Sequence, residues 1–209
     1  MRKLLFVGLI SSAFVANAEQ SGFYIGGAVG GSNQINNFTP SAFNVNTGGS
    51  SLNNSSWTFD GRIDGGYNLD KYNGFELGYM YTTGASFGLP DSSGTLNVNA
   101  STIDLSYILT VPVKIPGFSV FGRVGVGYDA VNSSGSSSNP LYPQFNPSGS
   151  SFADVLGAGV KWDVSRHFTA KVEWISNALL FPIGINSGGT NVANWNSQTF
   201  NVGIDYKFY

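Results

Sequence analysis

Wherever this sequence alternates, its charges and its large apolar side chains fall on opposite parities. Residues 199–209, TFNVGIDYKFY, show the pattern in its plainest form. Phe200, Val202, Ile204, Tyr206 and Phe208 share one face of an extended strand, and Asn201, Gly203, Asp205 and Lys207 share the other. Successive side chains of a strand point to opposite faces, so such alternation marks a strand with two unlike surroundings. The same sorting recurs upstream. One face carries Phe23, Ile25 and Val29; Trp57, Phe59, Ile63 and Tyr67; Phe75, Leu77, Tyr79 and Tyr81; Ile103, Leu105, Tyr107 and Leu109. It continues through Phe118, Val120, Val124, Val126 and Tyr128, then Leu156, Val160 and Trp162, then Phe168, Val172 and Trp174. The other face carries Asp60, Arg62, Asp64, Glu76, Asp104, Arg123, Asp129, Lys161, Asp163, Lys171, Glu173, Asp205 and Lys207, eight acids to five bases. Asp154 alone breaks parity, at a strand's outer end.

An apolar face this large cannot be left in water. A second sheet could cover it, but a sandwich core does not require aromatic rings to collect at strand ends. Here Trp57, Tyr81 and Tyr128 lie near one end, and Tyr67, Phe75, Phe118, Trp162, Phe168, Tyr206 and Phe208 near the other. Two belts of amphipathic rings suit the two lipid–water interfaces. Charged residues are 11% of the chain, under half the usual share of about 25%, which is too few for an ordinary water-exposed surface. The apolar face is therefore expected to meet lipid and the polar face to point inward. Leu77 and Val124 should face acyl chains and Met80 the lumen.

Eight alternating segments can be marked, at about 22–31, 57–68, 73–87, 99–111, 117–130, 152–163, 167–177 and 198–208. Several are near the roughly 9–11 residues that cross a bilayer at a tilt. Their connections alternate between long Ser/Asn/Gly-rich stretches and the short turns 69–73, 112–117 and 164–167. Antiparallel succession sends the long loops to one end and the short turns to the other, which is the asymmetry of an outer-membrane barrel. The expected fold is all-β: an eight-stranded antiparallel up-and-down transmembrane β-barrel. Segments 32–56, 131–151 and 178–197 are expected outside and mobile, with little regular structure in their tips.

Residues 1–18 open with Arg2 and Lys3, continue with an apolar run from Leu4 to Val15 and close on Ala16-Asn17-Ala18. That order predicts a secretory signal peptide, cleaved after Ala18; the run is short of the roughly 20 residues of a spanning helix. Residues 19–209 would form the barrel. Cysteine is absent, which excludes disulfides, thiolate catalysis and a lipoprotein anchor. The formal charge of −2 and the lack of basic runs argue against a nucleic-acid partner.

The segments GFYIGGAVGGS (22–32), GGYNLDKYNGFELGYMY (65–81), FGRVGVGYD (121–129), LGAGVKWDVSRHFTAKVEW (156–174) and the terminal VGIDYKF resemble the OmpA-like eight-stranded outer-membrane β-barrels, transmembrane domain only. The resemblance runs from about Gly22 to the end. It implies an acidic lumenal residue at Glu76, basic ones at Arg123 and Lys171, and an acidic one at Glu173. Ala28 stands where a lumenal lysine can occur and Lys161 where an acid can, so the family's ion pairs do not carry over unchanged. The resemblance also implies a terminal aromatic read by the outer-membrane assembly machinery, which Phe208 fits in register, with Tyr209 one residue beyond. No peptidoglycan-binding domain is expected to follow.

Catalytic signals are lacking. The single histidine, His167, falls in a short turn, at the end away from the loops. No G-x-S-x-G, H-E-x-x-H or P-loop pattern occurs, and GGAVGG precedes no helix. No catalytic, cofactor or metal set is expected. The inward charges are expected to act structurally. Asp64 and Glu76 should be neighbours across the 69–73 turn and Lys161 should lie beside Lys171. Asp64, Glu76, Arg123, Lys161, Lys171 and Glu173 are expected to form one network plugging the barrel midway. The resulting expectation is a non-enzymatic barrel in the outer membrane of a Gram-negative bacterium. It would contact lipid and lipopolysaccharide and present four loops, with adhesion or host contact as their candidate role. The alternative is a small porin-like channel with weak cation preference, since inward acids outnumber bases by three.

Overall fold

A computed structural model of the chain describes residues 21–34, 56–88, 94–137, 144–145, 148–178 and 197–208. Nine strands follow in order: β1 (Gly22–Gln34), β2 (Ser56–Asn68), β3 (Asn73–Gly88), β4 (Gly94–Pro112), β5 (Phe118–Ser137), β6 (Gln144–Phe145), β7 (Ser148–Asp163), β8 (Phe168–Ala178) and β9 (Ser197–Phe208). All pairings are antiparallel. The order β4-β3-β2-β1-β9-β8-β7-β5 is closed by a β4–β5 pairing into a ring of eight. The two-residue β6 pairs with β5 near its outer end, in the register that β7 keeps, and so extends the β5–β7 hairpin toward the loops. Closure leaves no unpaired sheet edge, the condition for a strand fold to cross a bilayer. No described helix is long and apolar enough to cross a membrane; the strands are what cross. The expected signal peptide lies outside the described residues.

Parity decides burial along each strand. On β3, Phe75, Leu77, Tyr79 and Tyr81 are exposed on the outer face, with Leu77 at 57%, whereas Glu76 and Met80 are 1% and 2% exposed inside. Val124 lies outward at 55%. The rings gather into two girdles. At the turn end Phe75 meets Tyr107 edge-on, Phe118 stacks on Trp162, and Tyr206 contacts both Phe168 and Phe208. At the loop end Tyr128 packs on Phe152, and Trp57 lies 6.3 Å from Phe200.

Three expectations need correction. The strands run further toward the loop end than the alternation suggested: β5 continues to Ser137, β7 begins at Ser148 and β4 begins at Gly94. Much of 131–151 and of the stretch before Asn99 is therefore paired sheet. Cross-strand bonding continues past the apolar band because backbone pairing does not need an alternating sequence. Second, β3 carries a bulge. Its register against β4 shifts between Thr82 and Ala85, which sets Thr83 and Gly84 opposite Asn99 alone, one extra residue, and bends the strand there. The third concerns Asp64. It pairs with Gly78 and not Glu76, which pairs with Gly66. The two acids are thus offset by two residues along the sheet.

The short turns are closed by local hydrogen bonds. Asp70 accepts from the backbone N–H groups of Tyr72 and Asn73 and from the Asn73 amide, at 2.6, 2.8 and 2.9 Å. Slight burial opposes ionisation of Asp70, but these donors prevail and hold its carboxyl below the usual carboxylate range. Gly117 takes φ 77° in the turn before β5, a left-handed conformation that glycine adopts without a Cβ clash. His167 is an exposed turn residue whose Nδ1 lies 3.1 Å from the Lys207 carbonyl oxygen.

Candidate functional site

The inward side chains are ordered in rows that follow the hydrogen-bonding direction around the ring. One row reads Asp205, Gly26, Asp64, Gly78, Asp104, Gly127 across β9, β1, β2, β3, β4 and β5. Acids alternate with glycines. A side chain at Gly26 would collide with the Asp64 and Asp205 carboxylates, and one at Gly78 with the Arg62 guanidinium. The glycines thus leave room for bases reaching over them. The next row toward the loops supplies those bases: Lys171, Gly203, Ala28, Arg62, Met80, Thr102, Asp129.

Lys171 Nζ bridges the acids flanking Gly26, at 2.9 Å from Asp64 Oδ2 and 2.7 Å from Asp205 Oδ1. Arg62 reaches over Gly78. Its Nη1 and Nη2 donate to Asp104 at 2.6 and 3.1 Å, and Nη2 also donates to Glu76 at 3.1 Å. Arg123, arriving from β5, donates to Glu76 at 2.6 Å and to Glu173 at 2.8 Å. Tyr24 leans over Gly66 and donates its hydroxyl to Glu76 at 2.8 Å. Glu76 is the hub, accepting from two guanidiniums and a phenol. The side chains of these ion-paired acids and bases are 0–4% exposed. Charges this deep are tolerable only when paired and hydrogen-bonded.

Of the six residues singled out from the sequence, the structure joins Asp64, Glu76, Arg123, Lys171 and Glu173, with Arg62 Nε at 3.6 Å from Asp64 Oδ2 linking the Lys171 group to the Glu76 hub. Lys161 is placed otherwise. It lies beside Lys171 in the β7–β8 register, as expected, but it makes no ion pair among the described residues. Its Nζ sits 4.6 Å from the Phe121 ring centroid and 5.8 Å from that of Tyr24. The reason is competition: Lys171 occupies both nearby acids, and its like charge sends Lys161 onto the aromatic faces. Lys161 also borders a cavity of about 290 Å³ at the turn end, lined among others by Tyr24, Asp163, Asp205 and Lys207. Its mouth carries a separate pair, Lys207 with Asp163 at 2.6 Å.

Arg62, Asp104, Asp205 and Tyr24 were missed as members of the network. Parity puts all four inside, but only the inter-strand register shows that they meet. Seven buried carboxylates (Asp60, Asp64, Glu76, Asp104, Asp129, Glu173, Asp205) face Arg62, Arg123 and Lys171, with half-buried Lys161 as a fourth base. The lumen holds no histidine, cysteine or hydroxyl-base pair suited to nucleophilic catalysis among the described residues. Nor do three His, Cys, Asp or Glu side chains converge there as a metal site.

The profile of the OmpA-like transmembrane domain matches residues 18–209. No curated protein sequence matches the chain. Among solved structures, the chain is similar to Neisserial surface protein A at 17% identity, covering 90% of this chain and 98% of that one, with a TM-score of 0.56. A major outer membrane protein from Thermus thermophilus aligns at 12% identity over 89% and 99% of the two chains, with a TM-score of 0.53. Ail, the attachment invasion locus protein of Yersinia pestis, solved with the heparin analogue sucrose octasulfate, aligns at 13% identity over 90% and 97%, with a TM-score of 0.50. At these identities the structural likeness establishes the fold.

Proposed function

The chain belongs to the OmpA-like transmembrane-domain family of Gram-negative outer-membrane barrels, and from that premise we propose that it is a non-enzymatic structural and surface protein. In this reading, residues 1–18 direct export and are removed, and residues 19–209 are inserted by the outer-membrane assembly machinery. The barrel then sits among lipid and lipopolysaccharide and presents its long connections to the exterior as adhesive or host-contacting loops. The observation carrying the structural role is the Glu76 hub. Guanidinium and carboxylate groups from β2, β3, β4, β5 and β8 meet within 2.6–3.1 Å across the lumen. An eight-strand interior is only wide enough for side chains to fill, and a filled interior supports a scaffold over a pore. The surface role is supported by the asymmetry of the connections. The attachment role named for Ail, and its heparin-analogue complex, offer a precedent for what such loops can do.

Two experiments test this. Purified protein in planar bilayers should give no steady single-channel current; regular open events with cation preference would replace the scaffold with the small channel. Epitope tags placed within 35–55 or 179–196 should be reached by antibody and protease on intact cells, and a tag at 69–72 should not. The reverse pattern would invert the topology and remove the basis for host contact.

A further inference from the structure

The third row toward the loops runs Glu173, Asn201, Gly30, Asp60, Thr82. It repeats the motif found at Gly26, two acceptors flanking a glycine, with Asn201 and Asp60 in place of Asp205 and Asp64. At Gly26 the space between the acceptors is bridged by the Lys171 ammonium. At Gly30 no side chain among the described residues plays that part. Asn201 Oδ1 leans over Gly30. Asp60 is 0% exposed and Asn201 1%. Among the described residues four acceptors, both Asp60 oxygens, Asn201 Oδ1 and Glu173 Oε1, are buried without a hydrogen-bond partner, as is the Asn201 Nδ2 donor. The bases between the two rows all turn the other way: Lys171 toward Asp64 and Asp205, Arg62 toward Asp104 and Glu76. Arg123 reaches Glu173 only through Oε2.

We propose that this position over Gly30 binds a hard, oxygen-preferring metal cation of the calcium class. Asp60, Asn201 Oδ1 and Glu173 Oε1 would hold it and water would complete the shell. Charge and donor count distinguish this from simpler completions. Water could donate to these oxygens but would leave the buried charge of Asp60 uncompensated. A single proton would satisfy one acceptor besides the oxygen it sits on, leaving two of the four unmet. A cation satisfies all four and supplies part of the positive charge the lumen lacks. Four protein oxygens with two or more waters suit calcium, which takes 6–8 oxygen ligands in flexible geometry, better than magnesium, which sheds water reluctantly. One carboxylate is shared with Arg123 and one ligand is a neutral amide, so affinity should be modest, on the order of 10⁻⁴–10⁻³ M.

The test is equilibrium dialysis of radioactive calcium ion against the full chain refolded in detergent free of lipopolysaccharide, over about 0.1–10 mM calcium. The wild type should take up one ion saturably. Asp60→Asn should weaken uptake about tenfold or more, and Asn201→Leu should also weaken it, giving a second reading should one variant fold poorly. Asp129→Asn should bind like the wild type, because Asp129 lies in another row and accepts from Thr102 at 2.6 Å. The proposal is overturned by no saturable uptake in the wild type, by uptake unchanged in folded Asp60→Asn, or by loss in Asp129→Asn.

Discussion

Replacing Glu76 by alanine lowers the stability of the barrel by about 3–5 kcal/mol, the cost of breaking a buried ion pair by removing one partner. The size follows from what Glu76 serves. Two guanidiniums and the Tyr24 hydroxyl donate to it, and its removal takes a buried acceptor from all three at once. Arg62 keeps Asp104 and Arg123 keeps Glu173, so the barrel still closes, but each guanidinium loses one of its two carboxylates and the two are no longer tied through a shared one. Tyr24→Phe removes one donor and leaves both guanidiniums on Glu76, so it should cost about 1.5–3 kcal/mol at most. Reversible urea unfolding in lipid vesicles, followed by tryptophan fluorescence, measures both. A loss at Glu76→Ala below about 1 kcal/mol would mean that the contacts described are not what fills the lumen. The double variant Glu76→Ala with Arg123→Met should cost less than the sum of its two single losses, since the two side chains share one contact.

Arginine at Leu77 should cost about 2–4 kcal/mol if the side chain lies near the bilayer midplane, while glutamine at Met80 costs far less. The positions are three residues apart on one strand but on opposite faces. Leu77 is 57% exposed outward and Met80 is 2% exposed inside, between Arg62 and Thr102 in its row. A guanidinium on the outer face replaces an acyl-chain contact with a desolvated charge. An amide at 80 enters a polar interior with hydrogen-bonding neighbours. Equal losses at the two sites would contradict the assigned faces.

What could be read from the sequence ends where register begins. Parity within a strand is local, so the two faces of Phe75–Tyr81 and of Phe200–Phe208 were legible without coordinates. A short turn carries register a little further. The Ser165-centred turn sets Lys161 opposite Lys171. The turn after Asn68 was misjudged by one pair, because Asp70 folds Tyr72 and Asn73 back on itself and leaves Asn68 opposite Gly74. No short connection fixes β1 against β2 or β9. Those registers belong to the closed ring, and with them come the Asp205–Gly26–Asp64 row and the reach of Tyr24 over Gly66. The β3–β4 register, which brings Asp104 to Arg62, is shifted by a bulge that the sequence does not announce. The true ends of β4, β5 and β7 were hidden for a different reason. Beyond the apolar band both faces of a strand meet polar surroundings, so pairing continues through VNSSGSS (131–137) with no alternation to announce it.

The central claim is that one face of each strand meets lipid and the other a packed, ion-paired interior. The most direct measurement is a cysteine spin-label scan of β3 from Phe75 to Tyr81 in lipid vesicles, made simple by a chain with no cysteine of its own. Accessibility to oxygen, which partitions into lipid, should peak at 75, 77, 79 and 81. It should fall at 76, 78 and 80, where labels should also be immobilised and shielded from a water-soluble nickel reagent. High nickel accessibility at the even positions would show a water-filled lumen in place of the plug, and oxygen maxima at 76, 78 and 80 would turn the strand inside out.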